Sequence, residues 1–554
     1  MRALRGVGLA VVGVVALVGG GCSGGSGPAG HATTPTLDPS RYEVGGSPLT
    51  IKTTDGPVQG VAQASLRKFL GIPYAAPPVG NLRFEAPQTP KPWTTPLATK
   101  APGSSCLQVL PVVNITMGSE DCLFLNVFAP ATPPTTPRPV MVWIHGGGFD
   151  VGSGMDDDPS RVAAASGDVM VTMNYRLGPF GFLALPQLGA AANDHSEGNA
   201  GILDQQAALK WVKANAAAFG GDAGNVTIYG ESAGGISVCA QLLSPTATGL
   251  FEKAITESGP CDIPIPPKTT SEAQGAKLAG ILGCSDPTTV VTCLQSKPAP
   301  DVLGALPSDP TFVFGQGASW FPTADGVVVP TDPVAALQAG KFPHIPIIVG
   351  ANRDEGRLFS ALAYSASGKT LGAADWAPAV EKFFGPTVGP QVEAKYPLAD
   401  YPDPSAALGQ AVGDAILACP AVESATLLSK YTTVYEYEFD HTPNQFVLPT
   451  PGTDLGAMHS AELPYVFDGP VESTGPLTFS PADQQLATTV STAWTRFAAT
   501  GNPAGGGLTW PALGAGGNYL SLDTPSTSVL TGMKQFTCAF WAQSGWSLAS
   551  LPGR

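Results

Sequence analysis

The apolar positions fall into two rhythms. Short runs rich in β-branched residues, Leu123–Val127, Val140–Ile144, Val169–Asn174 and Val226–Tyr229, are bounded by turn residues and predict buried strands. Two later runs, Ile345–Val349 and Thr432–Phe439, predict further strands. Between them Gln205–Ala218 places Ala, Leu, Trp and Val at helical spacing and predicts a helix. Strands alternating with helices imply an α/β fold on a largely parallel sheet. No internal repeat or linker interrupts residues 44–544, so one large body is expected, although 554 residues would ordinarily suggest several domains.

The first residues carry a different pattern. Arg2 and Arg5 precede the near-continuous apolar run Val7–Val18, then Gly19, Gly20, Gly21 and Cys22. As a helix that run is about 18 Å long, too short for the ~30 Å hydrocarbon core, so 1–22 reads as an export signal. The small residues before Cys22 resemble a bacterial lipoprotein signal, which makes Cys22 a candidate for lipidation and a lipid anchor to the membrane. Residues 23–43 read as a flexible tether, and 545–554 as a tail.

Composition narrows the class. Apolar residues are 43% of the chain, enough for a large core, and charged residues only 13%. The net charge of −15 repels phosphate backbones, so no nucleic-acid partner is expected. Nine cysteines include Cys22 and eight that could pair after export; they are scattered without C-x-x-C spacing, and no metal site is expected.

The chemistry concentrates in two glycine-rich segments. Gly230-Glu-Ser232-Ala-Gly234 follows the strand Val226–Tyr229 and precedes an apolar helical stretch. A sharp strand-to-helix turn leaves no room for side chains beside the nucleophile, and it presents the serine at a helix N-terminus, where negative charge is stabilised. The pattern alone is common in a chain with 67 glycines; the strand and helix around it make it specific. Upstream, His145-Gly-Gly-Gly-Phe149 follows the strand Val140–Ile144, and its bare backbone could donate two hydrogen bonds to an oxyanion. Order and spacing suit an α/β-hydrolase with a serine nucleophile. The acid and base should follow the serine. Asp354 and Glu355 share one loop after Ile345–Val349, while His441 and His459 both follow Thr432–Phe439, and position chooses neither acid nor base.

A resemblance makes both choices. The chain resembles the type-B carboxylesterase and cholinesterase family from about Val44 to Ala542. The similarity is carried by Phe219-Gly-Gly-Asp-Ala-Gly-Asn-Val-Thr-Ile-Tyr-Gly-Glu-Ser-Ala-Gly234 and Glu120-Asp-Cys-Leu-Phe-Leu-Asn-Val-Phe-Ala-Pro130. Asn174–Gly178 and Gly198–Gln205 match as well. The resemblance implies the α/β-hydrolase fold, a central mostly parallel sheet flanked by helices with loop and helical insertions. It implies a serine carboxylic ester hydrolase with Ser232 as nucleophile, Glu355 as acid and His459 as base. The oxyanion hole would be Gly147, Gly148 and Ala233. No cofactor is implied, and the partner is a small-molecule ester. The resemblance pairs Cys106 with Cys122, Cys284 with Cys293 and Cys419 with Cys538. It makes Arg83–Glu120 and Arg176–Asp204 structural ion pairs, and sets Glu231 and Glu462 near the triad. Cys239–Cys261 lies outside the widespread family pattern and is a further expectation. A choline substrate is disfavoured, because the fifteen residues between Cys106 and Cys122 hold no Trp for a cation–π contact. Two other readings on the same fold are a lipase acting on aggregated acylglycerols and a non-catalytic binding module, the latter disfavoured by the intact Ser232, Glu355 and His459.

Overall fold

The computed structural model describes residues 46–110, 114–192, 195–307, 320–364, 369–443, 454–472 and 477–547. The signal, Cys22 and the tether therefore lie outside the described residues, as do 548–554 of the tail.

The chain enters as an antiparallel meander of β1 (Ser47–Lys52), β2 (Pro57–Ala62) and β3 (Leu66–Pro73), with the short β4 (Leu97–Ala98) parallel to β2. A small hairpin, β5 (Gln108–Leu110) with β6 (Ile115–Met117), stands apart. The main sheet then runs through β7 (Phe124–Pro130), β8 (Arg138–Ile144), β9 (Val169–Met173), β10 (Gly221–Glu231), β11 (Lys253–Glu257), β12 (Ile347–Asn352), β13 (Val434–Phe439), β14 (Asn518–Leu522) and β15 (Ser528–Thr531). Its order is β1-β2-β3-β7-β9-β8-β10-β11-β12-β13-β14-β15. From β9 to β14 all neighbours are parallel; β7 pairs antiparallel with β3 and β9, and β15 with β14.

The near-continuous apolar runs follow from this placement, because a parallel strand covered on both faces buries every residue. In β8, Val140, Val142 and Ile144 pack into one core with Leu209 and Val212 of the helix Ala200–Phe219 and with Val238 and Leu242 of the helix Ala233–Leu243. Met141 and Trp143 point the other way, into a second core with Trp494 and Phe497 of the helix Pro481–Thr500.

Several bounds differ from the pattern. The helix begins at Ala200 rather than Gln205, because Asp204, a poor core residue by type, is buried against Arg176. Strand β10 starts at Gly221, on a polar segment whose register shifts before Val226. The apolar pattern does not mark strand β11: Lys-Ala-Ile-Thr-Glu carries a charge at each end, yet every position is buried between β10 and β12. The helical stretch Pro404–Ser429 is long and apolar enough to cross a membrane by composition, and 78% of its most apolar window is buried inside the protein.

Four disulfides form: Cys106–Cys122, Cys239–Cys261, Cys284–Cys293 and Cys419–Cys538. Both ion pairs form in bidentate fashion, Arg83–Glu120 at 2.6 and 2.7 Å and Arg176–Asp204 at 2.7 Å for each contact.

Candidate active site

The glycine loop follows β8, Ser232 follows β10, Glu355 follows β12 and His459 lies beyond β13. Parallel strands place all four at one edge of the sheet, their carboxyl ends, where open α/β sheets gather ligands.

Ser232 sits in a backbone conformation that side chains rarely adopt, with φ 57° and ψ −123°. Its N–H leaves the helix and donates to Glu257 O at 2.9 Å, while its carbonyl accepts the N–H of Ile236 at 2.9 Å. The turn is tight enough to dictate its neighbours. A Cβ on Gly234 would lie 2.0 Å from Ile144 O, and one on Gly230 would lie 2.6 Å from the same oxygen. Ser232 is half-buried, whereas Glu231 and Ala233 on either side are buried.

The loop after β8 runs beside this turn: a Cβ on Gly146 would lie 3.2 Å from Ser232 Cβ. Gly147 and Gly148 turn with φ +99° and +63°. Among the described residues no protein acceptor takes the N–H groups of Gly147, Gly148 or Ala233. His145 is buried, and its ring stacks on Tyr175 at 4.4 Å while Tyr175 Oη donates to His145 O at 2.8 Å. Burial pushes His145 down to about 4, so it remains neutral and serves the loop.

The structure separates the alternatives that position left open. Glu355 Oε2 lies 2.7 Å from His459 Nδ1, and its Oε1 accepts the N–H of Asn352 at 2.8 Å. Asp354 instead is held by Arg353 and Arg357, each at 2.9 Å, and by the N–H of Ala457 at 2.9 Å. His441 is turned away, its Nε2 2.7 Å from Asp483 and its Nδ1 3.3 Å from Asp523. The Phe359 ring covers His459 at 5.0 Å. Burial would lower the His459 imidazole, but the carboxylates of Glu231 and Glu355 override it and hold it up at about 9.

The family resemblance sets Glu231 near the triad without giving it a role. Its Oε1 lies 3.1 Å from His459 Nε2 and accepts from Ser460 Oγ at 2.8 Å. Glu462 lies behind, joined to Asn352 Nδ2 at 2.5 Å, and burial lifts its carboxyl well above the ordinary range. Two more supports carried no sequence signal: Lys534 Nζ and Gln410 Nε2 both donate to Arg353 O, at 2.8 and 2.9 Å, and brace the acid loop from below.

The comparisons with known proteins agree in direction. A model of the carboxylesterase family matches residues 47–541. A para-nitrobenzyl esterase of Bacillus subtilis (strain 168) is 38% identical over 482 residues, covering 83% of this chain and 92% of that protein. A solved thermophilic pNB esterase superposes with a TM-score of 0.74 at 33% identity, over 89% of this chain and 99% of its own. A solved pNB esterase gives 0.73 at 34% identity with the same coverage.

Proposed function

The chain belongs to the carboxylesterase family and is a carboxylic ester hydrolase, and from that premise we propose that it works through an acyl-enzyme on Ser232, with His459 as base and Glu355 as its acid. The pairing of His459 Nδ1 with Glu355 Oε2 at 2.7 Å carries this reading, because it fixes the ring through Nδ1 and leaves Nε2, 3.1 Å from the Glu231 carboxylate next to Ser232 in the chain, as the nitrogen that takes the proton. His459 takes the Ser232 proton as Oγ attacks the ester carbonyl, and Glu355 fixes the tautomer and stabilises the imidazolium. The N–H groups of Gly147, Gly148 and Ala233 hold the tetrahedral oxyanion, each such donor worth roughly 10²–10³ in rate. The alcohol leaves with the proton from His459, and water, deprotonated by the same imidazole, then releases the acid.

The substrate class we propose is a neutral ester with an apolar or aromatic alcohol. The apolar Cys106–Cys122 loop and the Phe359 ring over His459 support it, as does similarity to a para-nitrobenzyl esterase. We also propose a single hydrolase domain over 44–544, exported by the N-terminal signal and tethered through Cys22. The four disulfides favour an oxidising compartment.

Labelling with a fluorophosphonate followed by peptide mass spectrometry tests the nucleophile. The adduct is expected on Ser232, and Ser232→Ala is expected to lose about 10⁴-fold or more in p-nitrophenyl ester turnover while remaining folded. An adduct elsewhere, or an active Ser232→Ala, would overturn the assignment. Loss of activity in His441→Ala with His459→Ala intact would overturn the base.

A further inference from the structure

The disulfide-closed segment between Cys106 and Cys122 is tied to the glycine loop at two points. Gln108, the first residue of β5, is 3% exposed. Its Oε1 accepts the N–H of Gly152 at 2.9 Å, and its Nε2 donates to Gly152 O at 3.0 Å and to Cys106 O at 3.0 Å. One side-chain amide thus pairs with both backbone groups of a single residue, as a neighbouring strand would. The second tie is Asn174. Its Nδ2 donates to Cys122 O at 3.1 Å and its Oδ1 accepts the N–H of Gly154 at 2.8 Å. The two ends of the disulfide-closed segment therefore meet the chain just beyond the glycine loop, at 152 and 154.

Gly152 transmits that hold. Its φ is +115°, and a Cβ there would lie 2.4 Å from His145 Nδ1 and 2.8 Å from Gly146 O. Its backbone is pressed directly against the first two residues of the glycine loop. The loop's far side is closed internally, since Gly147 O accepts the N–H groups of Asp150 and Val151, both at 3.0 Å. Where Gly152 sits therefore sets how the Gly147–Val151 turn is presented to Ser232.

We infer that Gln108 is a positioning residue for the oxyanion hole: its amide holds Gly152, and through Gly152 the donors of Gly147 and Gly148, in register with Ser232. The inference rests on the acyl-enzyme reading of Ser232. It gives the Cys106–Cys122 segment a task in the chemistry. An oxyanion hole works by being preorganised for a charge that appears only in the transition state. A displaced hole should therefore slow the chemical step and leave binding of the uncharged ester largely alone.

Two variants test this. Gln108→Met keeps the volume and removes both ties to Gly152. It is expected to lower kcat about tenfold to hundredfold with KM changed less than about twofold, the scale of misplaced catalytic groups. A trifluoromethyl ketone reports the hole directly: Ser232 Oγ bonds its carbonyl carbon, the serine proton passes to His459, and the ketone oxygen becomes the oxyanion. Affinity for that ketone is expected to fall by the same factor as kcat. A loss in kcat with unchanged ketone affinity, or no loss at all, would overturn the inference.

Gln108→Glu carries the test if the first variant does not fold. A protonated glutamic acid can donate to Gly152 O and accept from its N–H, as glutamine does, whereas a carboxylate repels that carbonyl. The ratio of Gln108→Glu to wild-type kcat is expected near one at about pH 5, where burial keeps the new acid protonated, and to fall as pH rises. A ratio independent of pH would sink the idea. If Ser232 were not the nucleophile, the fluorophosphonate adduct would report it in wild-type protein, independently of either variant.

Discussion

The least predictable residue in the site is Glu231. It is fixed beside the nucleophile by sequence, yet its carboxylate reaches across to His459 Nε2 at 3.1 Å. Together with Glu355 it raises the imidazole to about 9. In the proposed mechanism only neutral His459 accepts the serine proton, so kcat/KM for an uncharged ester should rise through the alkaline range and level off above about pH 9. Glu231→Gln removes one of the two carboxylates, and the rising limb is expected to move to lower pH. A limb that stays in place when the profile is measured would show that Glu231 does not set the base. The same residues show the limit of local reading. Asp354 and Glu355 are neighbours of like chemistry, yet in space the arginines at 353 and 357 hold Asp354 while Glu355 pairs with His459.

At the scale of elements, the helix Ala233–Leu243 is the part most closely supervised. It begins at the strained Ser232, packs on β10 and β11, and is joined by Cys239–Cys261 to the loop after β11. That loop presses close: a Cβ on Gly259 would lie 2.5 Å from Gly235. The disulfide spans 22 positions, so closing its loop is worth about 3 kcal/mol through the unfolded chain. The Cys239→Ala, Cys261→Ala double variant should lose about that much in urea titration, with a steeper slope because the unlinked unfolded chain exposes more surface. An unchanged midpoint would mean the bridge does not constrain the unfolded chain. The helix and β10 were legible as strand, turn and helix in sequence, because apolar periodicity and the paired glycines coincide. Strand β11 was not, since Lys253 and Glu257 hide a buried strand behind charged ends. Glu257 is affordable there because Trp494 Nε1 donates to it at 2.9 Å, from a helix more than two hundred residues away in sequence.

For the molecule as a whole, the unusual property is a store of buried acids. Burial raises Glu257 and Glu436 to about 8, and Asp262 and Glu438 to about 7. Each keeps its proton when folded and releases it on unfolding, so each lowers stability as pH rises from the ordinary carboxyl range to its own value. His459, raised from 6.5 to about 9, acts in the same sense: its contribution is complete below about 6.5 and is lost as pH rises through about 9. His145, depressed to about 4, acts oppositely, but only between about 4 and 6.5. Above pH 6.5 these shifts therefore all point one way. The midpoint of thermal unfolding should fall steadily between about pH 6.5 and 9, and a flat or rising midpoint in calorimetry would contradict these environments. Activity and stability should thus separate with pH, the first rising where the second declines.

What the sequence determined by itself was local or repetitive. Apolar runs fixed the parallel strands, because burial on two faces demands them, and glycine spacing marked the nucleophile turn and the glycine loop, because no larger residue fits. The family resemblance added Glu355, His459 and three cysteine pairs. Tertiary structure supplied what depends on distance through space. It set Glu355 rather than Asp354 against His459, turned His441 toward Asp483, brought Lys534 under the acid loop and laid Gln108 along Gly152. These contacts join residues tens to hundreds of positions apart, and a side chain's charge or amide does not encode which distant partner will satisfy it. Packing of the whole sheet makes that choice.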